Sequence, residues 1–286
     1  MKVLVAEGRD HAPPGPSRSR SAGRRREALR PAADKVVAVA AVIAAWQLAS
    51  WAGVIDTRSI ASPAQIVGEL VSFPGDPAFW SALGATLQGW AIGLVLSVAI
   101  ALPVGLALGS SEIAYRSCRF TIDFLRTIPP VALVPLALLI YGATLEMKVV
   151  LVVLGACWPV LLQTMSGVHQ VDPVSRETAR SYRLDRARTI VWVVVPGASP
   201  FIATGVRIAA TMALILTIGS ELIGGAPGLG QQIGLAEVAT DVSRMYALIV
   251  VCAALGVLVN AVLARAEGRV MSWHVSQTMR TRAHSA

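Results

Sequence analysis

Uncharged apolar blocks of membrane-crossing length constrain this 286-residue chain more than any other feature. Val36–Ile55, Leu87–Gly109, Thr127–Leu145, Val149–Met165 and Met245–Ala264 contain no Asp, Glu, Lys or Arg. Ser199–Ser220 contains one, Arg207. At 1.5 Å per residue, about 20 helical residues cross a hydrocarbon core of about 30 Å. With 55% hydrophobic and 15% charged residues, the chain reads as an all-α membrane protein of six transmembrane helices. Cys118, Cys157 and Cys252 are too scattered for a disulfide framework or metal site. All four histidines lie outside the apolar blocks. A membrane-embedded enzyme would need His, Asp or Glu clustered within spans, and the sequence offers no such cluster.

The loops set the orientation. Lys and Arg near span ends favour the cytoplasmic side. With both termini inside, only Arg58, Lys148 and Arg244 of the 25 basic residues fall outside. Residues 1–34, rich in Arg, Pro, Ser and Gly, read as a disordered basic cytoplasmic tail. Residues 35–85 read as the first span and an external loop, with a short amphipathic helix at Ala64–Phe73 after Ser62-Pro63. Residues 86–268 form the core of five further spans, and 269–286 a cytoplasmic tail. Glu146 and Lys148 are expected in a short external turn. Within 221–244, Gly225, Gly228 and Gly230 mark an external packed loop near a pathway mouth, and Glu221 ends the fifth span there. A phosphate-binding loop is excluded, because no Lys-Ser/Thr follows these glycines and no strand precedes them.

Between the fourth and fifth spans lies Ser175–Pro200, with Arg176, Arg180, Arg183, Arg186 and Arg188. Charge of that density cannot face lipid. Ser175 suits a helix start. Ile190–Val195 is expected along the cytoplasmic surface, with Pro196-Gly197 as a break and the fifth span beginning near Ser199. Arg207 would then lean toward the inner surface.

Glu177-Thr178-Ala179, followed by Arg183 four positions on and closed by Val195-Pro196, resembles the coupling loop of permease subunits of bacterial ABC importers. Arg183 stands where that family has Gly, so a left-handed turn here would cost about 1 kcal/mol or more. Ser62-Pro63, Phe124–Pro130 and Gly228-Leu229-Gly230 also resemble the family. The likeness spans about residues 60–270 and is nearest to the sulfonate, taurine and nitrate permeases.

The resemblance implies a type I importer permease fold in the bacterial inner membrane. This chain would be a transport subunit, not an enzyme, holding no cofactor and no nucleic acid. ATP and Mg would reside on two copies of an ATP-binding subunit. A second permease copy, in a homodimer, would complete the pathway, and an external solute-binding protein would deliver the solute. The coupling loop, 172–198, would dock through Glu177, Thr178, Ala179, Arg180, Tyr182, Arg183, Leu184 and Pro196. The alternative is a six-span scaffold without transport activity.

Overall fold

The computed structural model describes residues 37–56 and 59–270, and every regular element among them is helical. The expectations for 1–34 and for the tail past residue 270 fall outside the described residues. The chain divides at Thr57 into two units. In the first, the described helix is α1, Val37–Trp51, which is helical from the first described residue.

The second unit starts with α2, Pro63–Ser72. Ser62 Oγ accepts the Gln65 N–H at 3.4 Å, and Gln65 Oε1 accepts the Ser62 N–H at 2.9 Å. This reciprocal capping, with Pro63 in the first turn, is why Ser-Pro opens a helix here. The loop that follows is shorter than expected. Asp76 caps α3, Pro77–Gly109, by accepting the Ala78 N–H at 2.9 Å. Helix thus begins ten residues ahead of Leu87, because an Asp-Pro pair is a strong helix start and nothing after it breaks the helix. Arg244 Nη2 meets Asp76 Oδ2 at 2.6 Å and lies over the Phe73 ring. That hydrogen-bonded guanidinium holds the Asp76 carboxyl below its usual range.

The third predicted span is broken. After α4, Glu112–Leu125, a bend of 66° precedes Pro130–Tyr141, which comprises a short 3₁₀ turn and α5, Val134–Tyr141. Prolines 129, 130 and 135 remove the N–H groups that a straight helix would use there. The fourth span, α6, runs over Leu145–His169 and takes in Lys148, so the turn preceding it is confined to Gly142–Thr144.

The fifth span also differs. After α7, Pro173–Ser181, and α8, Arg186–Thr189, a wide turn at Ile190–Val194 continues directly into α9, Val195–Gly224. Pro196-Gly197 is therefore no break. Pro196 directly follows the wide turn, whose looser hydrogen-bond ladder accommodates a missing N–H, and Ser199 Oγ donates to the Pro196 carbonyl at 2.8 Å. That carbonyl would otherwise lack a donor, since Pro200 has none to give. Arg207 pairs with Glu267 at 3.2 Å instead of reaching to the surface alone. The glycine-rich segment after α9 contains a further helix, α10, Leu229–Val238, and α11, Val242–Val270, ends the described chain.

Small residues set the packing. An added Cβ at Gly93 would approach Val152 to 2.5 Å, at Gly105 would approach Thr164 to 2.8 Å, and at Gly109 would approach Val168 to 2.9 Å. These pairings rise together in number, so α3 and α6 run parallel with backbones in close approach. Gly205 meets Gln163, and Gly224 meets Met147, so α9 runs antiparallel to α6. Among the described residues, four helical stretches are long and apolar enough to cross a membrane, or five with the bent pair counted as one.

Candidate functional site

Two charged sites lie toward opposite ends of this bundle. The first is built on α7 and α8. The helix start is Asp172-Pro173 and not Ser175. Asp172 accepts the Val174 N–H at 3.1 Å and the Ser175 N–H at 3.3 Å, and the Ser175 hydroxyl donates to it at 3.0 Å. Asp at the cap followed by Pro is the stronger start signal. Glu177, Thr178 and Arg180 are exposed, while Ala179 is buried.

The end of α7 explains Arg183. Its backbone has φ +53°, the left-handed conformation. The Leu184 N–H reaches the Ala179 carbonyl at 3.0 Å, and the Arg183 N–H reaches the Arg180 carbonyl at 2.9 Å. This paired bonding is the helix-ending motif in which a left-handed residue, usually Gly, turns the chain. Arg fills that position at about 1 kcal/mol or more. Asp185 then caps α8 by accepting the Arg188 N–H at 2.7 Å.

The pair of short helices is anchored from one side only. The Arg176 guanidinium donates to the Val168 carbonyl at the end of α6. Val168, Val171, Val194 and Ala198 form a buried apolar cluster joining α6 to α9 beneath it. The other side is unpartnered among the described residues. Tyr182 is 79% exposed, Trp192 74% and Val174 65%, beside the exposed Glu177, Arg180 and Arg183. Val174, Thr178, Trp192 and Gly197 line a shallow cleft of about 590 Å³. Leu184 is half-buried, and Pro196 belongs to the first turn of α9.

The second site lies near the start of α6 and the end of α9. Lys148 and Glu221 are 2% and 0% exposed and meet at 2.9 Å. Lys148 Nζ also donates to the Ala85 carbonyl at 2.9 Å and the Pro227 carbonyl at 2.8 Å, which uses all three of its N–H bonds. The other Glu221 oxygen accepts the Thr86 hydroxyl at 2.9 Å and the Gly230 N–H at 3.1 Å. Thr86 Oγ1 in turn accepts the Leu229 N–H at 2.8 Å. The cluster therefore ties α3, α6, α9 and α10 together. A Cβ at Gly228 would fall 2.0 Å from the Glu221 carboxyl carbon, and one at Gly230 would fall 2.2 Å from the Ile218 carbonyl. Only glycine lets this segment close over the carboxylate. Gly225, at φ +69°, turns the chain off α9.

Glu221 thus holds the interior of the bundle together and does not present its carboxylate to open space. The sequence reading separated Lys148 from it by placing that lysine in an external turn. The available signal was two opposite charges, each within one turn of an apolar helix end, on helices that lie side by side.

Residues 93–272 match the family described as binding-protein-dependent transport system inner membrane component. The taurine transport system permease protein TauC of Escherichia coli (strain K12) is 29% identical over 82% of this chain and 88% of its own length. The nitrate import permease protein NrtB of Synechocystis sp. (strain ATCC 27184 / PCC 6803 / Kazusa) is 26% identical over 85% of this chain and 89% of its own. A solved structure of the MetNI methionine ABC transporter, inward facing, superposes with a TM-score of 0.61 at 20% identity. That superposition covers 68% of this chain and 99% of the solved one.

Proposed function

Because the chain belongs to the family of inner membrane components of binding-protein-dependent transport systems, we propose that its α7–α8 segment is the surface through which an ATP-binding subunit drives transport. The chain is a multi-pass permease subunit of an ABC importer. The finer reading is that two copies line one pathway, two ATP-binding subunits hold ATP and Mg, and an external binding protein supplies the solute. The solute class is a small sulfonate, taurine, nitrate or a related anion, by likeness to relatives named for taurine and nitrate.

One observation carries the docking assignment. A rigid, twice-capped helix pair stands on the arginine-rich end of the bundle with Tyr182, Val174 and Trp192 uncovered. Apolar area of this kind supplies docking energy at roughly 25 cal/mol per Å² buried. Wet rim pairs through Glu177, Arg180 or Arg183 add about 0–1 kcal/mol each and set orientation.

The helix directions favour six crossings. The chain passes through α3, the bent α4–α5 pair, α6, α9 and α11 in alternating sense. With α1 taken as the sixth crossing, both termini would lie with Arg116, Arg180, Arg186 and Arg265 on the cytoplasmic side by the basic-residue rule.

The test is co-purification with the neighbouring ATP-binding subunit, comparing wild type with Glu177→Arg and Tyr182→Ala. The wild type is expected to retain the ATPase, and both variants to lose most of it while keeping wild-type elution and thermal stability. Retention of the ATPase by both variants, or a folded wild type that binds none, would overturn the assignment.

A further inference from the structure

Between the end of α3 and the α7–α8 segment lies a cavity of about 630 Å³ that shares Arg180 and Leu184 with the docking segment. Arg176, Arg180 and Arg186 line it, with the hydroxyls of Ser110, Ser111 and Thr189. None of these three arginines joins an ion pair among the described residues, and no carboxylate lines the cavity. Of the neighbouring acids, Asp172 caps α7, Asp185 caps α8 beside Arg188 and Glu112 pairs with Arg116, while Glu177 is exposed and does not line the cavity. Arg176 Nε is buried with no hydrogen-bond partner, although the same guanidinium donates to Val168. Three arginines therefore line one cavity without a paired carboxylate, and the buried Arg176 N–H left unmade costs free energy.

We infer that this cavity binds a phosphate-class oxyanion, and that its natural ligand is the phosphate of an anionic phospholipid headgroup. Guanidinium forks match tetrahedral oxyanions in geometry and charge, while the Ser110 and Thr189 hydroxyls already donate to the Leu106 and Asp185 carbonyls and only polarise the wall. The cavity opens where the apolar run of α3 stops at Gly109-Ser110, the depth at which headgroups lie. Leu184, Ile190 and Val194 form an apolar wall beside the basic one. The α3 surface above it exposes Val104, suited to an acyl chain. Such a ligand would brace the α7–α8 segment against the end of α3.

The experiment uses the full chain, delipidated in neutral detergent and followed by native mass spectrometry. It is titrated separately with phosphatidylglycerol, phosphatidylcholine and inorganic phosphate. One phosphatidylglycerol per chain is expected, with phosphatidylcholine at least tenfold weaker. Arg186→Gln should lower phosphatidylglycerol binding about tenfold. Ala107→Leu narrows the cavity and keeps all three arginines, so it should do the same without removing charge. Arg188→Gln, outside the cavity and paired with Asp185, should leave binding unchanged. Saturable phosphate binding with the same variant pattern, and no preference between the two lipids, supports the oxyanion site with a free ion as its source. Absence of both, or binding that neither Arg186→Gln nor Ala107→Leu weakens, would overturn the inference.

Discussion

The Lys148–Glu221 cluster and the α7–α8 segment treat charge in opposite ways. At the first, each N–H of the lysine and both carboxylate oxygens are engaged inside the chain, and exposure is essentially zero. At the second, arginines outnumber acids and the large side chains stand uncovered. In so apolar a chain, a charge is tolerable when its partners are built in, or when it lies where water or another molecule can meet it. The first arrangement joins helices. The second leaves a surface with unspent interactions, and it is there that a partner is to be sought.

The largest expected effect breaks the closed site. Glu221→Ala leaves the Lys148 ammonium buried without its anion, a cost of about 3–5 kcal/mol. Heating the purified chain in detergent should show early loss of the monodisperse species. Lys148→Met with Glu221→Leu should recover much of that loss, because an apolar pair needs no desolvated charge. A double variant no more stable than Glu221→Ala would mean that the carboxylate acts through Thr86 and Gly230, not through the lysine.

A middling effect concerns the packing beneath both sites. Gly93→Leu forces a side chain into Val152 and should cost about 1–3 kcal/mol. The same change at Gly84, where an added Cβ meets nothing within 4 Å, should be nearly neutral in the same thermal assay.

A smaller effect, with the opposite sign, belongs to the open site. Arg183→Gly removes a left-handed strain of about 1 kcal/mol and should raise thermal stability slightly, while Arg183→Val should lower it. A stabilising valine would contradict the turn.

The smallest involves the Asp76–Arg244 contact. The Asp76 carboxyl titrates below its usual value. Its contribution is therefore present above the ordinary carboxylate pKa and is lost as pH falls through the depressed one. Asp76→Asn should flatten the stability profile only on that acid side, as read by melting between pH 3 and pH 6. An unchanged acid limb would remove the contact from the account.

Much of this was legible in the sequence, because apolar length and charge placement report directly on what lipid allows. The Ser62-Pro63 helix start followed from local chemistry, whereas a turn at Arg183 was implied only by the family resemblance, from which Arg departs. The errors arose where a long-range partner decided the outcome. Lys148 looked like a loop residue because its acid lies 73 positions away. Pro196-Gly197 looked like a break because the hydroxyl that serves the Pro196 carbonyl comes from Ser199, and sequence alone does not show that bond forming. The helix at Leu229–Val238 was missed because the close fit of Gly230 against Ile218 is a tertiary fact, and glycine ordinarily argues against helix.

The most direct measurement is maleimide labelling of Thr178→Cys, an exposed position on the same segment that keeps Tyr182 in place, in a chain whose three native cysteines are replaced by serine. The account predicts labelling in the isolated chain, no labelling from outside intact cells, and protection when the ATP-binding subunit is added. A cysteine that reacts from outside, or stays fully reactive in the assembled complex, would contradict the assignment of this end of the bundle as the driven surface.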